Sequence, residues 1–213
     1  MFIHGRATAS TAVHDAIVAK LEGESLPRER VLGDDGTILV ARHSNLPTLL
    51  RHGCLTTEQR SGLLVFATVR NPFDHLVSTY SKMRAIHEGQ VARPNAILTE
   101  TRLENLEYSA THPFEQWVLT HWRRPGPLGR FRGPRPWRYG HTKDVDHVLH
   151  FEQLQEDLDA LLARVGYEGT IELPKVNVTP GRERDYRHYY TPRARRYVQE
   201  AWDEELDRYG YAF

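Results

Sequence analysis

The sequence predicts an α/β fold, with a central, mainly parallel sheet flanked by helices in a single domain. Three observations predict it. Strand-like and helix-like segments alternate along the chain, and a strand, a loop and a helix follow one another from the second residue. The run GLLVFATV at 62–69 is continuously apolar, the pattern of a strand covered on both faces. At 213 residues, one domain spanning 1–213 is the default.

The first strand is read at Phe2–His4, followed by the turn GRATAST and a helix from about Ala12 to Leu21, where Val13, Ala16, Ile17 and Leu21 share a face. GDDG at 33–36 makes a turn, and TILVA at 37–41 reads as the second strand, delivering Arg42 and His43 to its far end. A short helix is expected at about Pro47–Arg51. The apolar run at 62–69 belongs in the middle of the sheet. Helices follow at about 72–86, 99–107 and 113–122, and VDHVLHF at 145–151 is the next strand. Leu154, Leu158, Leu161 and Leu162 then repeat at helical spacing, with Gly166 placed to end the helix. Thr191 as N-cap, Pro192 in the first turn and Gly210 as terminator frame a C-terminal helix. RRPGPLGRFRGPRPWRYG at 123–140 reads as a long loop.

Lys plus Arg and Asp plus Glu both count 28, so no global field advertises a nucleic acid or a membrane surface. Any anion site must be local. With no run of about 18 apolar residues and no apolar core of a signal peptide, a soluble, cytoplasmic protein is expected. The single cysteine, Cys54, excludes an internal disulfide and a cysteine-based zinc site.

The join at Arg70 concentrates the chemistry. Pro72 disfavours helical geometry at Asn71 yet suits a first helical turn, so a helix starts at Pro72 with Asn71 as its cap. Arg70 then stands at the carboxyl end of a central strand beside a helix N-terminus, the edge where open α/β sheets bind ligands. Phe73, Leu76, Val77 and Tyr80 form the core face of that helix, and Ser78 lies two turns along on the cap's side. A guanidinium fork with a hydroxyl nearby suits a phosphate. Position alone leaves a salt-bridging arginine equally open.

The stretch VRNPFDHLVSTY resembles the 3′-phosphate signature of sulfotransferases that use 3′-phosphoadenosine 5′-phosphosulfate (PAPS). The resemblance is to the branch of carbohydrate and heparan sulfate O-sulfotransferases, whose pattern runs R-[DN]-P-[FW]-x-R-L-V-S-x-Y. Arg70, Asn71, Pro72, Phe73, Leu76, Val77, Ser78 and Tyr80 match, while His75 stands where the pattern has arginine. The resemblance implies a P-loop NTPase-like sulfotransferase fold, PAPS as sulfuryl donor and no metal. It also implies a 5′-phosphosulfate loop after the first strand, and FIHGRATASTAV is in that place, though the family's lysine is missing and its glycines are Thr or Ala.

Two registers are open for that loop: Arg6 replaces the lysine, with Ser10 and Thr11 as hydroxyls, or Ala7 falls at the lysine position. The first is preferred, since a departing negative charge needs a cation. The donor loop is accordingly assigned to Arg6, Ala7, Thr8, Ala9, Ser10 and Thr11, with Arg70 and Ser78 as further contacts. ILVARHSNLPTLL resembles the family's strand-G-H-x-S segment and implies His43 as the base that takes the acceptor's proton. His4, His75, His112 and His141 are the alternatives.

The likeness continues through VDHVLHFEQLQEDLDALLARVG, where Glu152 is expected to cap or pair at the strand–helix join. In the closing loop PKVNVTPGRER, Lys175, Asn177, Thr179, Arg182 and Arg184 are candidates to close over the nucleotide, Arg182 being chosen as the second phosphate contact. Residues 86–144 are expected as an acceptor-side insertion. Its Arg-rich part would suit an anionic acceptor, an already sulfated sugar or a nucleic acid, with an acidic acceptor preferred. The expected reaction moves the sulfuryl group of PAPS to an acceptor hydroxyl on a carbohydrate or other small molecule. A P-loop-like kinase with a degenerate loop, or a non-catalytic nucleotide- or nucleic-acid-binding module, are the competing readings.

Overall fold

The computed structural model describes residues 1–39, 44–91, 100–122, 140–174 and 179–213. In chain order the described elements are β1 (Phe2–Ile3), α1 (Ser10–Leu21), β2 (Val31–Leu32), β3 (Ile38–Leu39), α2 (Leu46–Arg51), α3 (Thr57–Ser61), β4 (Phe66–Val69) and α4 (Pro72–His87). They continue as α5 (Glu100–Thr111), α6 (Phe114–His121), β5 (His147–His150), α7 (Leu154–Arg164), α8 (Pro192–Ala201) and α9 (Asp203–Tyr209). The chain divides into two compact units, Met1–Arg70 with Tyr139–Asn177, and Asn71–Arg138 with Val178–Phe213.

The first unit is α/β, and its sheet runs β1-β4-β5 with both pairings parallel. The apolar run places β4 in the middle, with all four of its residues buried. Alternation sends Phe66 and Thr68 to one face and Val65, Ala67 and Val69 to the other. On the first face Phe66 and Leu149 pack with Val13 and Ala16 of α1 and Leu154, Leu158, Leu161 and Leu162 of α7. On the second, Val65, Ala67 and Ile3 pack with Leu39, Leu46, Leu49 and Leu55. Helices therefore cover both sides. Gly166, at φ 78°, ends α7 through Gly166 N to Ala163 O (3.0 Å) and Tyr167 N to Leu162 O (3.0 Å), a geometry that a glycine supplies without strain.

Three expectations change here. The strand read at 37–41 survives as Ile38–Leu39, paired antiparallel with Val31–Leu32 in a separate two-stranded hairpin across the Gly33–Gly36 turn; residues 40–43 lie outside the described ones. Leu21, the last residue of α1 before the left-handed Glu22 (φ 48°), is 40% exposed rather than part of the core. The helix α3, unforeseen, is held by a reciprocal cap in which Thr56 Oγ1 accepts from Gln59 N and Gln59 Oε1 accepts from Thr56 N.

The second unit is helical among the described residues. Asn71 caps α4, its Oδ1 accepting from Phe73 N at 3.0 Å, and its amide nitrogen donates to Ala212 O at 2.8 Å. Phe73, Leu76, Val77 and Tyr80 are buried as the helical spacing requires. Of the stretch expected as an insertion, 100–122 form α5 and α6, which contact α4. The C-terminal helix is broken: Thr191 caps α8, its hydroxyl accepting from Ala194 N, but the helix ends at Trp202 and restarts as α9. Trp202 is buried against Trp122 and His75, and Asp203 Oδ1 takes Glu204 N to begin the new turn. Gly210 (φ 68°) then terminates α9.

Candidate functional site

The loop between β1 and α1 turns through two alanines with left-handed backbone, Ala7 (φ 55°) and Ala9 (φ 57°). That conformation costs a residue with a Cβ roughly 1–2 kcal/mol, and strain of this kind gathers at ligand sites. Ala9 caps α1 with no side-chain bond, so neither Ser10 nor Thr11 is the N-cap. Val13 N is the first amide to bond back, to Ala9 O at 3.2 Å, which leaves the Ser10, Thr11 and Ala12 amides without a helical partner. No acid stands in that first turn. The result is a helix end made for an anion.

Hydroxyls hold this loop from inside. Ser10 Oγ donates to Gly5 O and accepts from Gly5 N (3.0 Å), Thr8 Oγ1 lies 2.9 Å from Ser10 Oγ, and Thr68 Oγ1 lies 2.7 Å from Thr8 Oγ1. Each hydroxyl owns one proton, and a carbonyl can only accept. Ser10 therefore gives its proton to Gly5 O, Thr8 gives its own to Ser10, and Thr68 gives its own to Thr8. Neither Thr8 nor Ser10 keeps a hydroxyl proton for a phosphate oxygen. In this loop the hydroxyl not engaged among the described residues is that of Thr11, which is half-buried.

Arg70 reaches the same loop. It is 4% exposed, its Nη1 donates to Ala7 O at 3.0 Å, and its guanidinium carbon lies 4.0 Å from the centre of the Phe151 ring. Thr68 and Arg70 are two residues apart, so both extend from one face of β4. Within this unit the structure thus brings together the loop, Thr68, Arg70 and Phe151. Arg6 is exposed and makes no ion pair among the described residues.

A sequence model of the sulfotransferase family matches residues 40–212. The chain belongs to the sulfotransferase family. No curated protein and no solved structure matches it. The match takes in Arg70, Ser78 and Arg182 and begins beyond the loop at 5–11, whose reading rests on its own geometry.

In this sulfotransferase the remaining candidates are distributed as follows. Ser78 is half-buried on α4. Arg182 is ion-paired through Nη2 with Asp74 Oδ1, the two side chains only 19% and 13% exposed, so the arginine chosen for a phosphate already holds a carboxylate within its own unit. His43, Lys175, Asn177 and residues 123–139 lie outside the described residues. His75, which replaces the pattern's arginine, is buried with its ring 6.4 Å from that of Trp122 and 6.2 Å from that of Trp202. A guanidinium there would be enclosed by indoles. His4 Nε2 sits 3.1 Å from His14 Nδ1, and His112 stacks on Tyr108 at 3.7 Å.

Asp157 ties the strand–helix join. Asp157 Oδ2 accepts from His150 N at 2.6 Å and its Oδ1 from Gln153 Nε2 at 2.9 Å. A carboxylate one helical turn inside can fold back on the preceding strand, and the spacing of Asp157 from that strand signals it. Phe151 gave no such signal, reading as one more apolar residue. The sulfotransferase's second unit also contains a cavity of about 510 Å³ lined by Tyr80, Ser81, Arg84, Glu88, Phe114 and Tyr189. Among the described residues no group of three or more His, Cys, Asp or Glu side chains could hold a metal, and no helix is long and apolar enough to cross a membrane.

Proposed function

We propose that this sulfotransferase moves the sulfuryl group of PAPS to an acceptor hydroxyl, on a carbohydrate or other small molecule. The single observation that carries the donor assignment is the bond from Arg70 to Ala7 O, which ties the arginine of VRNP to a loop 63 residues away. A bisphosphate nucleotide needs anion sites at both of its ends, and these two stretches supply an arginine and a helix N-terminus. The donor fits these groups: first-turn amides without a helical partner, the exposed cation of Arg6 and no acid in the first turn.

PAPS supplies an activated sulfuryl group on a phosphate leaving group. The chain's task is then orientation and charge stabilisation, as in phosphoryl transfer. The amides of Ser10 to Ala12 and the guanidinium of Arg6 hold the leaving phosphate, Arg70 and Ser78 take the 3′-phosphate, and Arg182, presented by Asp74, makes a second contact to it. His43 takes the acceptor's proton. An acidic acceptor suits the arginines of 123–140, and a cytoplasmic, single-domain enzyme without a metal is the setting we assign.

Thermal shift with adenosine 3′,5′-bisphosphate, PAPS and Mg-ATP tests the donor. Stabilisation by the first two is expected, and a response to Mg-ATP alone would overturn the assignment in favour of a kinase. Screening acceptors with radiolabelled PAPS then identifies the hydroxyl.

A further inference from the structure

We propose that Thr68 and His141, neither of them in the loop, are positioning residues that set the shape of the donor loop from the β4 side. The proposal rests on reading residues 5–11 as that loop. Thr68 is fully buried near the carboxyl end of the central strand and is engaged at both its oxygens. Its carbonyl is 2.8 Å from His141 Nε2, and its hydroxyl is 2.7 Å from Thr8 Oγ1. Because a carbonyl only accepts, the imidazole proton must sit on Nε2. Because the protons of Ser10 and Thr8 are already committed, the hydroxyl proton of Thr68 is the one that starts the chain ending at Gly5 O.

His141 also acts sterically. It lies in the short turn Gly140–Thr142, far from the loop in sequence, yet it packs on Gly5. A Cβ at Gly5 would come 2.7 Å from Thr8 Oγ1 and 2.9 Å from His141 Cε1, and closer still to His141 Nε2. Gly5 therefore has no side chain because the imidazole and the Thr8 hydroxyl occupy its place. Burial lowers the pKa of His141, opposed by its bond to the Thr68 carbonyl. The loop is thus gripped at Gly5 by His141, at Thr8 by Thr68 and at Ala7 by Arg70. None of these contacts touches the amides left for the ligand.

The test compares Thr68→Val with Thr68→Ser, and His141→Ala with His141→Gln, whose amide can replace the Nε2–H. The readouts are exchange of the Gly5 amide, which is bonded to Ser10 Oγ, and the Kd of adenosine 3′,5′-bisphosphate. Thr68→Val and His141→Ala should each speed that exchange and weaken binding by about tenfold, the scale of one lost buried hydrogen bond. Thr68→Ser and His141→Gln should stay close to the parent. A folded Thr68→Val protein with unchanged Gly5 exchange, or a His141→Gln protein as impaired as His141→Ala, would overturn the proposal. His141→Ala carries the test alone if Thr68→Val does not fold. If the parent protein fails to bind the bisphosphate, the donor assignment falls, while the exchange measurement still decides this one.

Discussion

Arg70 Nη1 donates to the carbonyl of Ala7 across 3.0 Å, joining a strand end to a loop alanine whose backbone is left-handed. Arg70 thus braces the loop as well as serving in the proposed 3′-phosphate contact. Arg70→Ala should therefore weaken binding of adenosine 3′,5′-bisphosphate by about 1.5–3 kcal/mol, the range for a charge-assisted hydrogen bond. Calorimetry checks it, and an unchanged Kd would put the phosphate elsewhere.

Ala7 and Ala9 adopt φ values that favour glycine. Relieving the strain outweighs the extra freedom glycine gives the unfolded chain, so Ala9→Gly should stabilise the protein by up to about 1 kcal/mol. Ala12→Gly, inside α1, should destabilise it by about as much. Urea titration of the pair reads the difference directly, and a loss of stability in both would show that Ala9 is not strained.

The pKa of His141 is lowered in the folded protein, chiefly by burial. Between that lowered value and the unfolded value of about 6.5, the unfolded chain binds a proton that the folded one refuses, so stability rises with pH. The contribution is complete above the unfolded pKa and is lost as pH falls below it. His141→Gln should narrow the difference in urea midpoint between about pH 7.5 and about pH 5.5. An unaltered difference would assign the acid sensitivity to other groups.

Asp74 and Arg182 form a pair with little exposure on either side. Removing one partner leaves a poorly solvated charge, so Asp74→Ala should cost roughly 1–3 kcal/mol, less than for a fully buried pair. With Arg182 as the proposed second phosphate contact, binding of the bisphosphate should weaken severalfold as well. Lower stability with an unchanged Kd would make the pair purely structural.

Asp157 returns to the amide of His150 at 2.6 Å. Its replacement by alanine should destabilise the β5–α7 join by about 0.5–2 kcal/mol, the cost of losing a carboxylate cap. The denaturant midpoint should fall for Asp157→Ala, and an unchanged midpoint would show that its bond to His150 contributes no stability.

The parts of the fold legible in the sequence were those fixed by local physics. Val65–Val69 had to be doubly covered, Asn71-Pro72 had to start a helix, and Gly166 and Gly210 had to stop one. Elements fixed by partners far along the chain were not legible. Val31–Leu32 is a strand only because Ile38–Leu39 folds back on it, and Trp202 breaks a well-patterned helix because its indole is drawn against Trp122. The cap of α3 is readable from Thr56 and Gln59, three residues apart. At the candidate site, sequence could nominate hydroxyls but not count their protons. Thr8 and Ser10 looked like ligands for an anion until the positions of Gly5 and Thr68 fixed which way each hydroxyl points.

That forced order among the hydroxyls sets a spelling rule for the loop. Positions 8, 10 and 68 share an alphabet of serine and threonine, since each must pass a proton on, and a valine at any one of them leaves its neighbour with nothing to receive or nowhere to give. Positions 7 and 9 draw from residues at ease in a left-handed turn, and position 5 admits one letter. Relatives of this chain could be sorted by those six positions alone, before any other part of their sequence is compared.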